Sequence, residues 1–479
     1  MSESLKYQAV KGVMWSAIER FSVQGIQFVL GIIIARLVAP SEYGLIAMLG
    51  IFLAVAQTFI DSGFSSALIQ KKERTEADFS TVFYFNIIVS FVVYLSLFFS
   101  APFIARFYQE PILELLTRWI SLSIVISSFS IVQRAKLTIQ LNFKVQAKAS
   151  FIAVVISGII GIVLAWNQYG VWALVIQALL NNFLNTMFLW IFSPWKLQLL
   201  FSKYSLSKLF GFSSKILLAE MLNTIYANMY SLVIGKVFSS TNLGYYTRSL
   251  SFSNFLSINL TSIMQRVFYP MLCEVQHEEE RMKSLFFKSL RSAFFIICPC
   301  VIGLAALAKP LVSLLLTDKW IIVAYLLPIL CFANLFYPLQ CISAQAIYAK
   351  GDSNYVLKAE AVKKILGIVI LIMTLPYGLY VLCSGIILYN IFDLIIIQFF
   401  LSKSIGVSGM DIIRKIYPIF FCSLVMGGII YITTLIISSS FLSLLIGVII
   451  GSISYFTLSV LFNIEELNFI KSKFFASVL

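Results

Sequence analysis

Apolar runs long enough to cross a bilayer, about 20 residues each, recur along the whole chain between short polar segments. They predict helices near Met14 to Val38, Tyr43 to Phe64, Phe79 to Ile104, Trp119 to Thr138, Ala147 to Trp166 and Gly170 to Phe192. A second set follows near Leu209 to Val237, Tyr245 to Pro270, Leu285 to Ala308, Ile321 to Ala349, Ile365 to Leu375 extended backwards, and Gly378 to Leu401. Two more, Ile416 to Ile437 and Phe441 to Phe462, close the chain. The pattern predicts an all-α membrane protein of about 14 transmembrane helices and leaves no polar block large enough for a soluble domain.

Within that pattern lies a repeat. Ile34-Ala35-Arg36-Leu37 with Gly44 matches Ile234-Gly235-Lys236-Val237 with Gly244 at an offset of 200. Tyr169-Gly170-Val171-Trp172 matches Tyr377-Gly378-Leu379-Tyr380, and Asn182 and Asn185 fall on Asn390 and Asp393, at an offset of 208. The eight added residues predict a longer loop around Glu278-Glu279-Glu280. The expected organisation is two six-helix pseudo-symmetric lobes, residues 1–192 and 209–402, joined by a cytoplasmic loop at 193–208 and followed by a two-helix segment at 403–479. Six spans per repeat give both copies one orientation, the arrangement of transporters whose halves rock to alternate access.

Composition agrees with the pattern. Of 479 residues 60% are hydrophobic and 12% charged, with a mean hydropathy of +0.94. A soluble chain carries about a quarter charged residues. The net charge of +14 would suit nucleic acid if the basic residues clustered. Instead 27 of the 35 Lys and Arg fall in segments on one side of the predicted spans, seven in loops on the other, and Arg20 lies inside a span. This asymmetry places both termini in the cytoplasm. The start lacks a compact apolar region with a small-residue cleavage site and reads as an uncleaved first span.

Polar residues inside the spans mark candidate chemistry, because a central charge costs about 2.5 to 3.5 kcal/mol and normally faces a cavity or a partner. At helical spacing Ser16, Arg20, Gln24, Gln27 and Gly31 share one stripe of the first span, and Glu220, Thr224, Asn228, Ser231 and Gly235 share one of the seventh. The offset of 200 sets Arg20 against Glu220, an expected functional pair; alternatively Arg20 snorkels to the inner surface and pairs with Glu19. Asp393, Asn390 and Glu220 are candidates to carry a coupling ion, and Asp393 and Asn390 read equally as packing residues. Asp61 reads as a helix-end anchor.

Other signals resolve to structure. The seven cysteines, Cys298-Pro299-Cys300 included, read as buried thiols. His277 among Glu274 and Glu278 reads as solvated surface, and one histidine cannot build a histidine metal site. Gly447 and Gly451 permit close helix packing. No phosphate-binding loop, dinucleotide fingerprint or zinc spacing is present, so no cofactor and no metal are expected.

Several segments together carry a family resemblance. They are Trp15-Ser16, Arg20, Gln24, Phe28, Ala35-Arg36-Leu37, Pro40-Ser41-Glu42-Tyr43-Gly44-Leu45, Asp61-Ser62-Gly63-Phe64, Leu243-Gly244-Tyr245-Tyr246, Phe268-Tyr269-Pro270 and Lys319-Trp320. The chain resembles the polysaccharide-transporter (Wzx-type) flippases of the multidrug/oligosaccharidyl-lipid/polysaccharide exporter superfamily. The resemblance implies a non-enzymatic exporter in a bacterial inner membrane. Its substrate would be an undecaprenyl-diphosphate-linked oligosaccharide for lipopolysaccharide or capsule synthesis, with the bilayer and possible polysaccharide-synthesis proteins as partners. It also gives the basic residues a task, since Arg suits a diphosphate by its fork and fixed charge. Arg20, Arg134 and Lys215 become candidate substrate contacts, with Gln24, Gln27, Glu220 and Asn228 on the polar stripes; ordinary inner-face anchoring is the other reading of Arg134 and Lys215. The alternatives are a drug/cation antiporter or a peptidoglycan-precursor flippase of the same superfamily. A membrane glycosyltransferase or polymerase should show a large loop or a block of paired acids, and the sequence shows neither.

Overall fold

The computed structural model describes residues 22–61, 68, 71, 74–140 and 142–467; Arg20 and Ser16 lie outside them. Every regular element among the described residues is a helix. The chain divides into two compact units, one ending at Gly244 and one beginning at Tyr245.

The first unit holds α1 (Ser22–Leu37), α2 (Pro40–Asp61), α3 (Glu76–Tyr108), α4 (Ile112–Ile120), α5 (Leu122–Ser128), α6 (Ile131–Ile139), α7 (Phe143–Trp166), α8 (Val171–Phe192) and α9 (Lys203–Val237). It ends just inside α10 (Ser240–Glu274). The start of α3 is set by a capping box, in which Thr75 Oγ1 accepts from Asp78 N at 3.3 Å and Asp78 Oδ2 accepts from Thr75 N at 2.9 Å. This pairs two of the amide groups that a helix start leaves without partners. Asp78 is fully buried and also holds Lys71 Nζ at 2.6 Å. The extensive α7 and α8 pairing is close at Gly161, which lies against Gln177 of α8, while Gly158 of α7 lies against Leu30 of α1.

The second unit continues α10 and adds α11 (Glu279–Ala306), α12 (Ala308–Leu315), α13 (Ile321–Asn334), α14 (Tyr337–Lys350), α15 (Ser353–Thr374), α16 (Leu379–Ile405), α17 (Gly409–Ile436) and α18 (Ser440–Leu461). Gly351 and Gly406, at φ of 92° and 68°, end α14 and α16 in the left-handed conformation that favours glycine. Helices α11, α17 and α18 pack around Leu307, Met426 and Ile430. Gly427 and Gly447 admit Ile302 and Leu307 there.

Nine helices among the described residues are long and apolar enough to cross a membrane, or ten if the bent pair Ile112–Ser128 and Ile131–Ile139 forms one span. The chain is thus a multi-pass, all-helical membrane protein. Four predicted spans fall outside that set: α1 is short as described, and in α9, α10 and α15 polar and charged residues are spread so that no apolar stretch is long enough.

Three local expectations are corrected. The fourth stretch, read as one helix from Trp119 to Thr138, is broken at Phe129-Ser130 with a bend of 41°. Trp190 of α8 caps the break by donating Nε1–H to Phe129 O at 2.9 Å. The tenth stretch is one span, Asp318–Lys350, as expected, but not one continuous helix: a turn at Leu335-Phe336 divides it into α13 and α14, whose first turn holds Pro338. No long loop surrounds Glu278: α10 runs to Glu274 and α11 starts at Glu279, so the added residues lengthen helices. Glu279 and Glu280 fill the first turn of α11, where negative charge suits the helix dipole.

Candidate functional site

Two sets of polar side chains inside the helices are candidates, one in each unit. In the first unit, α9 packs along α2, and the polar stripe of α9 meets it at Thr224, whose Oγ1 lies 3.1 Å from Thr58 Oγ1. Thr58 Oγ1 also bonds Ala54 O at 2.8 Å. One turn on, Asn228 donates Nδ2–H to Thr224 O at 2.8 Å, so its amide is tied to its own helix. Glu220 and Gln27 are exposed and Gln24 is half-buried. Gln24 Oε1 is enclosed without a hydrogen-bond partner among the described residues. Arg134 is half-buried on α6. Arg20 is outside the described residues, and Lys215 lies on α9 with its side chain outside the description. The expected Arg20 and Glu220 pair therefore remains a proposal.

In the second unit the structure assembles a buried cluster of charge. Asp393 of α16 and Lys363 of α15 are 6% and 7% exposed. Lys363 Nζ lies 2.9 Å from Asp393 Oδ1 and 2.6 Å from Glu360 Oε1, one turn back on α15. Helix α15 brings Lys363 to this position because its buried face, at Val356, Ala359, Lys363, Gly367 and Ile370, repeats at the three- and four-residue spacing of one side of a helix. Asn390, one turn before Asp393, accepts from Gln340 Nε2 of α14 at its carbonyl O, 3.0 Å, and at Oδ1, 3.2 Å. Gln398 Nε2 donates to Ser343 Oγ of α14 at 3.1 Å. Helices α14, α15 and α16 are thus joined by polar contacts at three levels.

Lys363 is the residue that sequence reasoning missed. It stands just before an apolar run and groups by sequence with the inner basic segment, whereas helix α15 starts ten residues earlier at Ser353. The available signal was Asp393, since a carboxylate deep in a span needs a cation close by. An isolated charge buried at low dielectric is costly, and removing one member of such a pair typically costs about 3 to 5 kcal/mol. Asp393 and Asn390, singled out together, do share a site, but the first partner of Asp393 is a lysine of the same chain. Among the described residues no three His, Cys, Asp or Glu side chains converge as a metal site.

A profile of the family described as "Polysaccharide biosynthesis protein" matches residues 33–325. The chain belongs to the polysaccharide biosynthesis protein family. An "Uncharacterized membrane protein in cps region" of Klebsiella pneumoniae is 24% identical over 91% of this chain and 96% of its own length. The "Lipopolysaccharide biosynthesis protein WzxC" of Escherichia coli (strain K12) is 24% identical over 88% of this chain and 86% of its own. Among solved structures, "Lipid II flippase MurJ, inward closed conformation" shares the fold with a TM-score of 0.75 at 18% identity, covering 94% of this chain and 98% of that one. The family match takes in α2 to α12 whole. Lys363 and Asp393 lie beyond it.

Proposed function

We propose that this chain carries an undecaprenyl-diphosphate-linked oligosaccharide from the cytoplasmic to the periplasmic leaflet of a bacterial inner membrane by alternating access, supplying surface polysaccharide synthesis. The observation that carries this reading is the polysaccharide-biosynthesis family match on a chain made of membrane helices. Its work is then transport rather than bond chemistry. Fourteen crossings are part of the proposal, with α1 as a short apolar member as described and α9, α10 and α15 as the polar members. Such helices are tolerated where their polar faces meet protein or a water-filled path. Both termini are placed in the cytoplasm on the basic-residue asymmetry.

In this reading Arg20, Gln24, Gln27, Glu220 and Asn228 line the path, and Arg134 and Lys215 meet the diphosphate near the inner mouth. The Lys363 and Asp393 pair is assigned to energy coupling. The triad with Glu360 holds two carboxylates and one ammonium, one negative charge in excess, so an entering cation or proton has an electrostatic reason to bind. Asn390 positions α14 against this site through Gln340. The likeness to a lipid II flippase is one of fold at 18% identity and leaves the glycan unassigned.

The test is loss of function in the source cell. Deleting the gene should abolish the surface polysaccharide and leave its lipid-linked repeat unit intact and facing the cytoplasm. Normal surface polysaccharide in the deletion strain, with no other chain of this family present, contradicts the proposal.

A further inference from the structure

The sequence repeat predicts that Gly44 and Gly244 are equivalent, as are Pro40 and Ser240 at the same offset of 200. Inside the first unit these four residues meet each other. A methyl group on Gly44 would run into the carbonyl of Ser240, and one on Gly244 would run into the carbonyl of Pro40. Gly44 N stands 3.3 Å from where the Gly244 Cβ would be. The contact is reciprocal, 44 on 240 and 244 on 40, which is the signature of a local two-fold axis passing between the glycines. Here the start of α2 and the start of α10 touch backbone to backbone.

Side chains close around this crossing. Ser240 Oγ donates to Glu110 Oε1 at 3.2 Å. Lys236 Nζ donates to Phe107 O and lies 4.9 Å from the Phe107 ring centre. A Cβ on Gly235 would press on Leu243, Met48 and Tyr108. Along α9, no residue from 228 to 235 is exposed, while Leu218 and Leu222 are 62% and 64% exposed. The helix is therefore enclosed toward the glycine crossing and open toward its other end. At the helical rise per residue, the enclosed stretch is about 12 Å long.

We infer that the Gly44 and Gly244 crossing is the seal that closes the outer end of the transport path, and that the path opens outward by parting it. The inference rests on the alternating-access reading above, which places the start of α2 at the outer face. Backbone contact at these two glycines, each against the start of the other's helix, suits such a seal. The close backbone approach leaves no room for a Cβ between the helix starts, and the side chains around it are held by polar contacts such as Ser240 to Glu110 that can part without unpacking an apolar core. Any Cβ at either position holds the helix starts apart.

The experiment measures labelling of a Ser231→Cys reporter, one to two turns inside the seal on α9, by a membrane-impermeant thiol reagent added outside, with the parent chain as blank. Val237→Cys, beyond the seal and 51% exposed as valine, sets the rate of an open site. The expected result is that Ser231→Cys reacts several-fold more slowly than Val237→Cys. Adding Gly44→Ala or Gly244→Ala should raise its rate several-fold, whereas Gly50→Ala on the same helix, where a Cβ meets nothing within 4 Å, should leave it unchanged. Equal rates at Ser231→Cys and Val237→Cys overturn the inference, as do inserted glycine variants that leave the reporter protected. If the glycine variants fail to insert, the comparison of the two reporters still decides. Labelling uses no substrate, so a protected reporter in a protein that exports no glycan would count against the flippase reading alone.

Discussion

The repeat-related helices α8 and α16 solve the same burial problem with different chemistry. On α16, Asn390 and Asp393 are held by Gln340 and by Lys363. At the equivalent places on α8, Asn182 donates Nδ2–H to Ala178 O of its own helix at 2.9 Å, and Asn185 Oδ1 has no hydrogen-bond partner among the described residues. The same offset puts Val155 of α7 where α15 has Lys363. Both members of the ion pair are absent from the first repeat, and both are present in the second. The pair thus behaves as one unit, which follows from its energetics: either charge alone at that depth is costly, while neither or both can be tolerated. The first repeat packs α7 against α8 without it, which is compatible with the coupling role proposed for the pair in α15 and α16.

The largest expected effect comes from breaking the pair. Lys363→Met or Asp393→Leu should each cost about 3 to 5 kcal/mol of stability, because each strands one buried charge. Thermal unfolding in detergent would show it as a large fall in midpoint, and export should be lost. The reverse intrusion is next: Asn185→Asp places a carboxylate in the first unit at the position equivalent to Asp393, at a cost of about 2.5 to 3.5 kcal/mol. Adding Val155→Lys should recover part of that loss, and failure to recover any would mean that the two repeats do not share this geometry.

A smaller effect is expected of Lys363→Val with Asp393→Asn, which writes the first repeat's residues into the second. Replacing both members of a buried pair is often close to neutral, so the midpoint should return near that of the parent chain. If the pair couples energy to transport, export should still fail, and restored export would reduce the pair to packing. Gln340→Leu removes the bonds to Asn390 and should cost about 0.5 to 1.5 kcal/mol. Glu360→Gln should cost least, below about 1 kcal/mol, since that side chain is 44% exposed.

How much of the molecule is legible in its sequence depends on the kind of signal. Long apolar runs locate the helices, and the offset of 208 by itself picks out Asp393 and Asn390. Lys363 is hidden because its neighbours Lys358 and Lys364 make the segment look like an inner loop. Only helix α15, starting at Ser353, turns that one lysine inward. The break at Phe129-Ser130 carries no Pro or Gly; it is supported by Trp190, 61 residues away and invisible to a local reading. The offset of 200 aligns Gly44 with Gly244, but that each packs on the start of the other's helix is a tertiary fact.

The central claim is movement of a lipid-linked oligosaccharide, and it is measured most directly with purified protein in sealed vesicles. A polyprenyl-diphosphate-linked oligosaccharide with a fluorescent sugar is placed in both leaflets, and an impermeant reductant that irreversibly bleaches the dye reports the fraction that becomes reachable from outside. The account predicts that the reachable fraction exceeds one half and approaches completeness in vesicles holding the parent chain, while the Asp393→Leu chain leaves it at one half. A reachable fraction that stays at one half with folded, inserted parent protein would contradict it.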